Sequence, residues 1–326
     1  MLAILGVITV AVAVTVASLL TVGPWRPAAD RGIQASPRAS VPAAGRLNAT
    51  VPVRVTPSAA VSPARSASGT AASRAATANV AADPLGAAAA SYVAGRAGTV
   101  VAAVYDIRTG RTWRLGRGPA QAEASVVKLD VLETLLAQRG HSGTSLSASD
   151  RALTGQMIED SDNTAATSLW YEIGGATGIS SFNRQAGLTA TSPSACVQCA
   201  GFAWPGWGLS TTTPADQIAL LRQLVRPSAV LTDSERSYAL SLMENITPSQ
   251  RWGVSGGVPG RVTVALKNGW LPLEGTDSDW QINSVGWVSG DGRDYLMAVL
   301  TTGNPTEQYG IDTISQLGAM AWQDLG

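Results

Sequence analysis

The chain has 326 residues, of which 45% are apolar, and its 23 basic and 23 acidic residues give a formal net charge of zero at pH 7. This length and composition can build a large core, and the length alone would allow two domains. The chain carries no basic excess, so we expect no nucleic acid among its partners.

The N-terminal segment is apolar. Residues 2–22 hold no charged side chain over 21 positions, which is enough to cross a bilayer as a helix. We therefore predict that residues 1–22 are a transmembrane signal anchor, with a cleaved signal peptide as the alternative. Arginines follow this segment and none precedes it, so the positive-inside rule alone would leave the rest of the chain in the cytoplasm.

The next segment has the composition of a linker. Residues 23–83 are mainly Ala, Pro, Ser, Thr and Arg, with few residues able to form a core. A disordered tether is useful for holding a domain off a membrane. For this reason we predict an extracytoplasmic protein that is anchored by its N-terminal helix, against the arginine bias. The alternatives are secretion after signal cleavage and a disordered tail of the same composition.

The folded part is predicted to start near Pro84. Helical patterns cover residues 87–95, much of 125–242, and 306–325. The predicted β-strands are residues 99–107, 111–115, 262–266, 280–288 and 295–301. Strands on both sides of a helical insertion predict one antiparallel sheet with helices packed on it, which is an α+β fold.

Lysine is rare in this chain. Of the 23 lysines and arginines, only Lys128 and Lys267 are lysines. Arginine stays protonated at any usable pH, whereas a lysine can lose its proton when burial or a neighbouring cation lowers its pKa. Both lysines are therefore candidates for chemistry.

Ser125 stands three residues before Lys128 at the start of an apolar helical pattern. Residues i and i+3 share one face of a helix, so the serine hydroxyl and the lysine amine can act as nucleophile and base. Taken alone, the same short pattern would more often be a serine cap followed by a surface lysine.

Two further motifs favour the catalytic interpretation of Ser125 and Lys128 over the structural one. Ser161-Asp162-Asn163 follows in the helical insertion, and Lys267-Asn268-Gly269 follows in a predicted edge strand. The order and approximate spacing of the three motifs resemble those of class A β-lactamases and penicillin-binding proteins over residues 84–326. The resemblance implies a five-stranded antiparallel sheet flanked by N- and C-terminal helices, with an all-helical subdomain inserted at about residues 121–249.

The resemblance also implies roles for the catalytic residues. Ser125 would be the acylated nucleophile, and Lys128 would be its base or part of the proton path. Ser161 would pass a proton to the leaving nitrogen. The backbone N–H groups of Ser125 and Trp270 would form the oxyanion hole.

Other residues of the motifs would hold the substrate. Asn163 would bind Lys128 and the substrate amide. Lys267 would bind Ser161 and the substrate carboxylate, and its charge would help to keep Lys128 neutral. Asn268 and Gly269 would take the substrate backbone as an added strand.

The sequence departs from the family pattern in three places, of which the third is the cysteine-containing loop described below. Asn268 replaces the usual Thr or Ser, which puts carboxylate recognition in doubt. Class A β-lactamases use a loop glutamate to activate the deacylating water, but residues 173–215 contain no Asp or Glu. Glu172 lies on the predicted helix before the loop, and we expect it to be a surface carboxylate. We therefore predict slow deacylation, unless Lys128 or one of three carboxylates outside the usual position serves as the base: Asp216, Glu244 and Asp277.

The same loop contains Cys196 and Cys199, followed by Trp204 and Trp207. A Cys pair with two residues between the cysteines is compatible with half a zinc site, a redox pair or a local disulfide. We favour a loop-stiffening disulfide, because zinc needs about four ligands and the single histidine, His141, lies far away in a predicted surface turn. The tryptophans are equally compatible with a substrate cleft and with a plug in the core.

The resulting expectation is a serine hydrolase that acts through an acyl-Ser125 intermediate on β-lactams or related amides. The alternatives are a D,D-peptidase acting on cell-wall peptides and a non-catalytic module that binds cell wall or a partner protein. We expect a β-lactam or D-Ala-D-Ala-like substrate, no cofactor or metal, membrane attachment through residues 2–22, and a monomer.

Overall fold

The computed structural model of the chain describes residues 82–200, 204–273 and 279–326. The predicted anchor at residues 1–22 lies outside these ranges, as does almost all of the predicted linker at 23–83. Within the described part, no helix combines the length and the apolar character that a membrane span needs.

The described residues form eight α-helices and seven β-strands. The helices are α1 (Ala87–Ala94), α2 (Val127–His141), α3 (Ala148–Glu159), α4 (Asn163–Glu172), α5 (Gly175–Ala186), α6 (Pro214–Val225), α7 (Asp233–Glu244) and α8 (Glu307–Asp324). The strands are β1 (Thr99–Asp106), β2 (Thr112–Leu115), β3 (Gln121–Ala122), β4 (Thr211–Thr212), β5 (Thr263–Pro272), β6 (Trp280–Gly290) and β7 (Arg293–Asn304).

Five strands form one antiparallel sheet in the order β2-β1-β7-β6-β5. The first two strands and the last three are separated in sequence by the helices α2 to α7. The predicted α+β fold with an interrupted five-stranded sheet is confirmed. Strand β5 runs to Pro272, six residues past its predicted end at Leu266, because its ladder with β6 continues to the pair Pro272 and Trp280.

The sheet separates two hydrophobic cores. Along β7, Leu296 and Ala298 face the core shared with α2 to α7, whereas Met297 and Val299 face the core shared with α1 and α8. This alternation is the period of two that a strand with both faces covered requires.

Helix α2 is the centre of the helical part. All eleven residues from Val127 to Ala137 are buried. The sequence pattern predicts one apolar face, at positions 127, 131, 132, 135 and 136. The structure differs from this prediction, because the charged residues between these positions are buried as well. The cause is that α2 is surrounded by α3, α4, α5, α7 and the turn before it, which leaves it no solvent face.

Three carboxyl groups are buried along this region: Glu123, Asp130 and Glu133. Asn183 donates to Asp130 over 3.0 Å, and Gln217 donates to Glu123 over 3.3 Å. Neither carboxyl oxygen of Glu133 has a hydrogen-bond partner among the described residues. Burial, and then the charge of Asp130, raises the pKa of Glu133 well above its ordinary value. The folded protein therefore favours the protonated form of Glu133.

The raised pKa of Glu133 predicts a pH-dependent loss of stability. The folded state binds this proton more tightly than the unfolded state, so stability falls by up to about 1.4 kcal/mol per pH unit above the unfolded-state pKa of about 4.3, until the folded-state pKa is reached. Glu133→Gln removes this dependence. We expect the unfolding free energy of the variant, relative to wild type, to rise between pH 5.5 and 7.5 in urea titrations.

The exposed Glu244 at the end of α7 provides the control. Glu244→Gln should track wild type at every pH. A stability difference between Glu133→Gln and wild type that stays constant with pH would contradict a protonated Glu133.

Candidate active site

Ser125 lies in a tight turn of 3-10 helix just before α2. The residue before it, Ala124, has a φ of 50°, in the left-handed region that is unfavourable for a residue with a side chain. The turn is held from the sheet, because the amide of Asn283 donates to the carbonyls of Ala122 (2.8 Å) and Glu123 (2.9 Å). The Asn283 side chain thus holds the backbone on the N-terminal side of Ser125.

Strand β5 passes close to this turn at Gly269. A Cβ atom at this position would lie 2.7 Å from the backbone nitrogen of Ser125 and 2.8 Å from that of Val126, so a larger residue would push the strand away. This approach brings the backbone at Gly269, the residue before Trp270, beside the Ser125 N–H. The two N–H groups assigned to the oxyanion hole therefore belong to neighbouring backbone segments.

The amine of Lys128 is buried one turn along α2. It donates to the backbone carbonyl of Ser161, to the Ser161 hydroxyl (3.1 Å) and to the side-chain oxygen of Asn163 (2.8 Å). Lys128 and the predicted Ser-Asp-Asn motif are thus in direct contact, although 33 residues separate Lys128 from Ser161.

Ser161 lies between the two lysines. Its hydroxyl oxygen accepts hydrogen bonds from Lys128 (3.1 Å) and from Lys267 (3.0 Å). A hydroxyl oxygen can accept two hydrogen bonds and still donate its own proton. Ser161 also has a φ of 60°, so two of the three non-glycine residues with positive φ in the described part, Ala124 and Ser161, lie at this site.

Both lysine amines have lowered pKa values. Burial, and then the charge of Lys267, lowers the pKa of Lys128 to about 6, against a smaller opposing effect of Asp162. Burial lowers the pKa of Lys267 to about 7. One of the two amines can therefore hold a lone pair near neutral pH, which an arginine in the same position could not do.

Asp162 and Asn163 begin helix α4. The carboxylate of Asp162 caps the helix by accepting from the N–H of Ala165 over 2.6 Å. This cap directs Asn163 inward, where it meets Lys128.

Asn268 is buried and holds a loop. Its side-chain nitrogen donates to the carbonyls of Gln250 (2.6 Å) and Trp252 (3.2 Å). An amide nitrogen has two protons, so Asn268 would have to release one of these carbonyls to donate to a substrate. Its assignment to substrate binding stays a prediction.

The loop between α5 and α6 contains a disulfide between Cys196 and Cys199. The N–H of Gly206 donates to the carbonyl of Cys196 over 2.8 Å, which ties the disulfide to the turn before Trp207. The rings of Trp204 and Trp207 stack with centroids 6.2 Å apart.

Trp207 is the loop residue that reaches Lys128. Its side chain is buried, and its ring centroid lies 5.1 Å from the Lys128 amine. Its indole N–H donates to the Thr167 hydroxyl on α4 over 3.2 Å. The sequence left the tryptophans undecided between a cleft and a core, and Trp207 is both buried and part of the site wall.

Of the alternative deacylation bases, Glu244 is exposed at the end of α7 and Asp216 has structural contacts. Asp216 accepts from the N–H of Ala190 (2.7 Å) and the hydroxyl of Thr191 (2.9 Å), and so holds the loop. Glu172 pairs with Arg139 at the end of α4. Asp277 lies outside the described residues.

Sequence reasoning overlooked Glu123, which stands two positions before Ser125. Burial, and then the charge of Asp130, raises the pKa of Glu123 well above its ordinary value. The Asp130 and Glu133 pair at i, i+3 within an apolar helix was the available signal that this region contains buried acids.

His141 is exposed and is the last residue of α2, because the helix extends into the predicted turn. In the described ranges, no group of three or more His, Cys, Asp or Glu side chains has the arrangement needed to hold a metal ion.

Curated relatives of this chain include a mycobacterial protein and a β-lactamase. The chain is 29% identical over 207 residues to "Putative lipoprotein LppW" of Mycobacterium tuberculosis, a match that covers 62% of this chain and 62% of that protein. It is 26% identical over 174 residues to carbapenem-hydrolyzing beta-lactamase KPC of Klebsiella oxytoca, covering 53% of this chain and 58% of that protein. The matches thus span less than two thirds of these relatives.

Solved structures share the fold. TLA-1 extended spectrum beta-lactamase superposes with a TM-score of 0.68 at 17% identity, covering 75% of this chain and 99% of that chain. A class A beta-lactamase from Mycobacterium abscessus superposes with a TM-score of 0.59 at 22% identity, covering 72% and 96%. The described residues therefore have the class A β-lactamase fold.

A profile described as the beta-lactamase enzyme family matches residues 137–325, which is more than half of the chain. The match includes Ser161 and Lys267 but begins after Lys128, so the pairing of the Ser125 motif with the other two comes from the contacts above. The chain belongs to the beta-lactamase enzyme family.

Proposed function

We propose that this protein is a serine hydrolase that reacts with β-lactams or related amides through an acyl-Ser125 intermediate. The observation that carries this proposal is the Ser161 hydroxyl, which accepts from the two buried amines of Lys128 and Lys267. Such an arrangement supports proton transfer between nucleophile and leaving group, and a structural serine has no need of it.

In the proposed acylation, neutral Lys128 takes the proton of the Ser125 hydroxyl and the Oγ atom attacks the carbonyl carbon. The backbone N–H groups of Ser125 and Trp270 would stabilise the oxyanion. When the C–N bond breaks, Ser161 gives its proton to the nitrogen and is reprotonated by Lys128. Charged Lys267 would hold the substrate carboxylate. Asn163 would orient Lys128 and the substrate amide.

The position of Trp207 supports the proposal that the acyl-enzyme is hydrolysed slowly. The loop approaches Lys128 with an indole ring, and residues 173–215 contain no carboxylate to activate a water. We propose that the acyl-enzyme persists, so that the activity is closer to that of a penicillin-binding D,D-peptidase than to that of an efficient β-lactamase.

We also propose an extracytoplasmic location, with residues 2–22 as the anchor. The relative from Mycobacterium tuberculosis is named as a lipoprotein, which supports this compartment. The disulfide between Cys196 and Cys199 is compatible with an oxidising environment.

The acyl-enzyme can be detected directly. The mass of the wild-type protein should increase by that of one molecule of a fluorescent penicillin. Ser125→Ala should show no adduct by intact mass spectrometry. Ser241→Ala, at an exposed helical serine, should label like wild type. An adduct that survives in Ser125→Ala, or a wild-type protein without one, would reject Ser125 as the nucleophile.

The pH dependence of acylation tests the lysines. Protonation of Lys128 removes the base, so the acylation rate should rise with pH through about 6. Loss of charge on Lys267 weakens carboxylate binding, so the rate should fall above about 7. Acylation rates measured by stopped flow should thus give a bell-shaped dependence on pH, whose two apparent pKa values belong to the pair of lysines together. Lys128→Arg should be inactive at every pH, because a guanidinium cannot take the proton. An active Lys128→Arg variant would exclude Lys128 as the base.

The time course of substrate turnover tests whether deacylation lacks a general base. General-base assistance is worth about 10²–10⁴-fold, so without it a chromogenic cephalosporin should release one equivalent of product and then a slow phase. Rapid multiple turnover without a burst would refute slow deacylation. In that case Glu123→Gln, Asp216→Asn, Glu244→Gln and Asp277→Asn would be compared, and the variant that stalls as an acyl-enzyme would identify the base.

A further inference from the structure

Strand β6 carries a buried amide at a position where an apolar side chain is expected. Asn283 is fully buried, and it lies two residues before Val285, which faces the core shared with the helices α2 to α7. Strands that are covered on both faces are usually near-continuous apolar runs. A buried amide is costly in such a place unless its polar atoms are hydrogen-bonded, so the partners of Asn283 indicate what it does.

All four hydrogen-bonding positions of the Asn283 amide are occupied. Its nitrogen donates to the carbonyls of Ala122 (2.8 Å) and Glu123 (2.9 Å). Its oxygen accepts from the side-chain nitrogen of Gln281 (2.8 Å) and from the backbone N–H of Thr301 (3.3 Å). A carbonyl can only accept and a backbone N–H can only donate, so the amide has one orientation, with its nitrogen toward the turn before α2.

The carbonyl oxygen of Glu123 is the point at which three segments meet. It accepts from Asn283 and, over 3.2 Å, from the N–H of Val126, which closes the turn around Ser125. A Cβ atom on Gly269 of β5 would lie 2.9 Å from the same oxygen. The turn before α2 and the strands β5 and β6 therefore converge on one backbone atom.

The main chain of Asn283 is attached to the neighbouring segment. Asn283 and Gly269 are cross-strand partners in the ladder between β6 and β5. Gly269 precedes Trp270, whose N–H is the second donor assigned to the oxyanion hole. The side chain of Asn283 thus holds the turn that carries the Ser125 N–H, while its main chain lies beside the segment that carries the Trp270 N–H.

We propose that Asn283 is a positioning residue that sets the separation between the two N–H groups of the oxyanion hole. The inference rests on the proposed function, in which Ser125 and Trp270 supply these donors. An oxyanion hole works only when its donors lie about 2.7–3.1 Å from the developing negative charge. Lys267 holds the substrate carboxylate elsewhere in the proposed site, so Asn283 affects the transition state and leaves the initial binding of substrate unchanged.

The test compares Asn283→Ala with Asn304→Ala. Asn304 is the matched control because its amide is also fully buried in this sheet, where it donates to the Trp280 carbonyl and the Thr301 hydroxyl, both over 2.8 Å. Stopped-flow measurements at increasing penicillin concentration separate the binding constant from the acylation rate constant, and urea titration gives the stability of each variant.

Both variants should be less stable than the wild type, but only Asn283→Ala should acylate slowly. Its acylation rate constant should fall about 10–100-fold while its binding constant stays the same. Asn304→Ala should keep the wild-type rate constant. A folded Asn283→Ala variant that acylates at the wild-type rate, or a rate lost equally in both variants, would overturn the proposal.

The acyl-enzyme provides a second readout that a loss of stability does not change. Hydrogen bonds from the oxyanion hole weaken the ester C=O bond, so its infrared stretch, measured with a penicillin labelled with carbon-13 at the reacting carbonyl, reports the two donors. The stretch should move to higher wavenumber in Asn283→Ala and stay at the wild-type value in Asn304→Ala. An unchanged stretch in Asn283→Ala would contradict the proposal.

Asn283→Asp is the conservative variant. It keeps the shape of the side chain and, when protonated, one of the two donors, so its acylation rate constant should lie between those of wild type and Asn283→Ala. If Asn283→Ala does not fold, Asn283→Asp decides the matter, and a wild-type rate constant together with a wild-type stretch would reject the positioning role.

Amide hydrogen exchange keeps this inference distinct from the proposed function. If no penicillin acylates the wild type, the proposed function fails. Exchange of the Ser125 and Val126 N–H groups, relative to those of helix α8, then still decides whether Asn283 positions the turn. Faster exchange in the Asn283 variants than in Asn304→Ala supports the inference, and equal exchange overturns it.

Discussion

The site depends on one hydroxyl group that accepts hydrogen bonds from two buried amines. Ser161 lies 3.1 Å from the Lys128 amine and 3.0 Å from the Lys267 amine. Two buried ammonium groups so close together would repel each other without solvent screening, and burial disfavours each charge further. The protein accommodates the pair because at least one amine can be neutral near pH 7. The same lowering of pKa provides a base.

This contact joins the two halves of the fold. Lys128 and Ser161 belong to the helical part, whereas Lys267 lies on edge strand β5. The strand can approach only because Gly269 leaves room for the backbone at Ser125. The backbone at Ala124 and Ser161 adopts positive φ angles, and contacts to neighbouring segments hold it there: Asn283 bonds to the carbonyls of Ala122 and Glu123, and Lys128 bonds to the carbonyl of Ser161.

Local patterns were sufficient to locate the five strands of the large sheet and most helices, because alternation and helical spacing report directly on which side is buried. They failed where the partner is distant in sequence. Strands β3 and β4 have two residues each, so no periodicity can mark them. The length of β5 depends on β6, and the burial of Asp130 and Glu133 depends on helices that arrive later in the chain.

The sequence by itself determined the three motifs in order, the restriction of lysine to Lys128 and Lys267, and the lack of carboxylates in residues 173–215. Residue identity and spacing are sufficient for these conclusions. The tertiary structure decided that Trp207 faces Lys128, that the Asn268 amide holds a loop, and that both lysine pKa values are low. These properties arise from desolvation and contacts between segments far apart in the chain, so no local pattern encodes them.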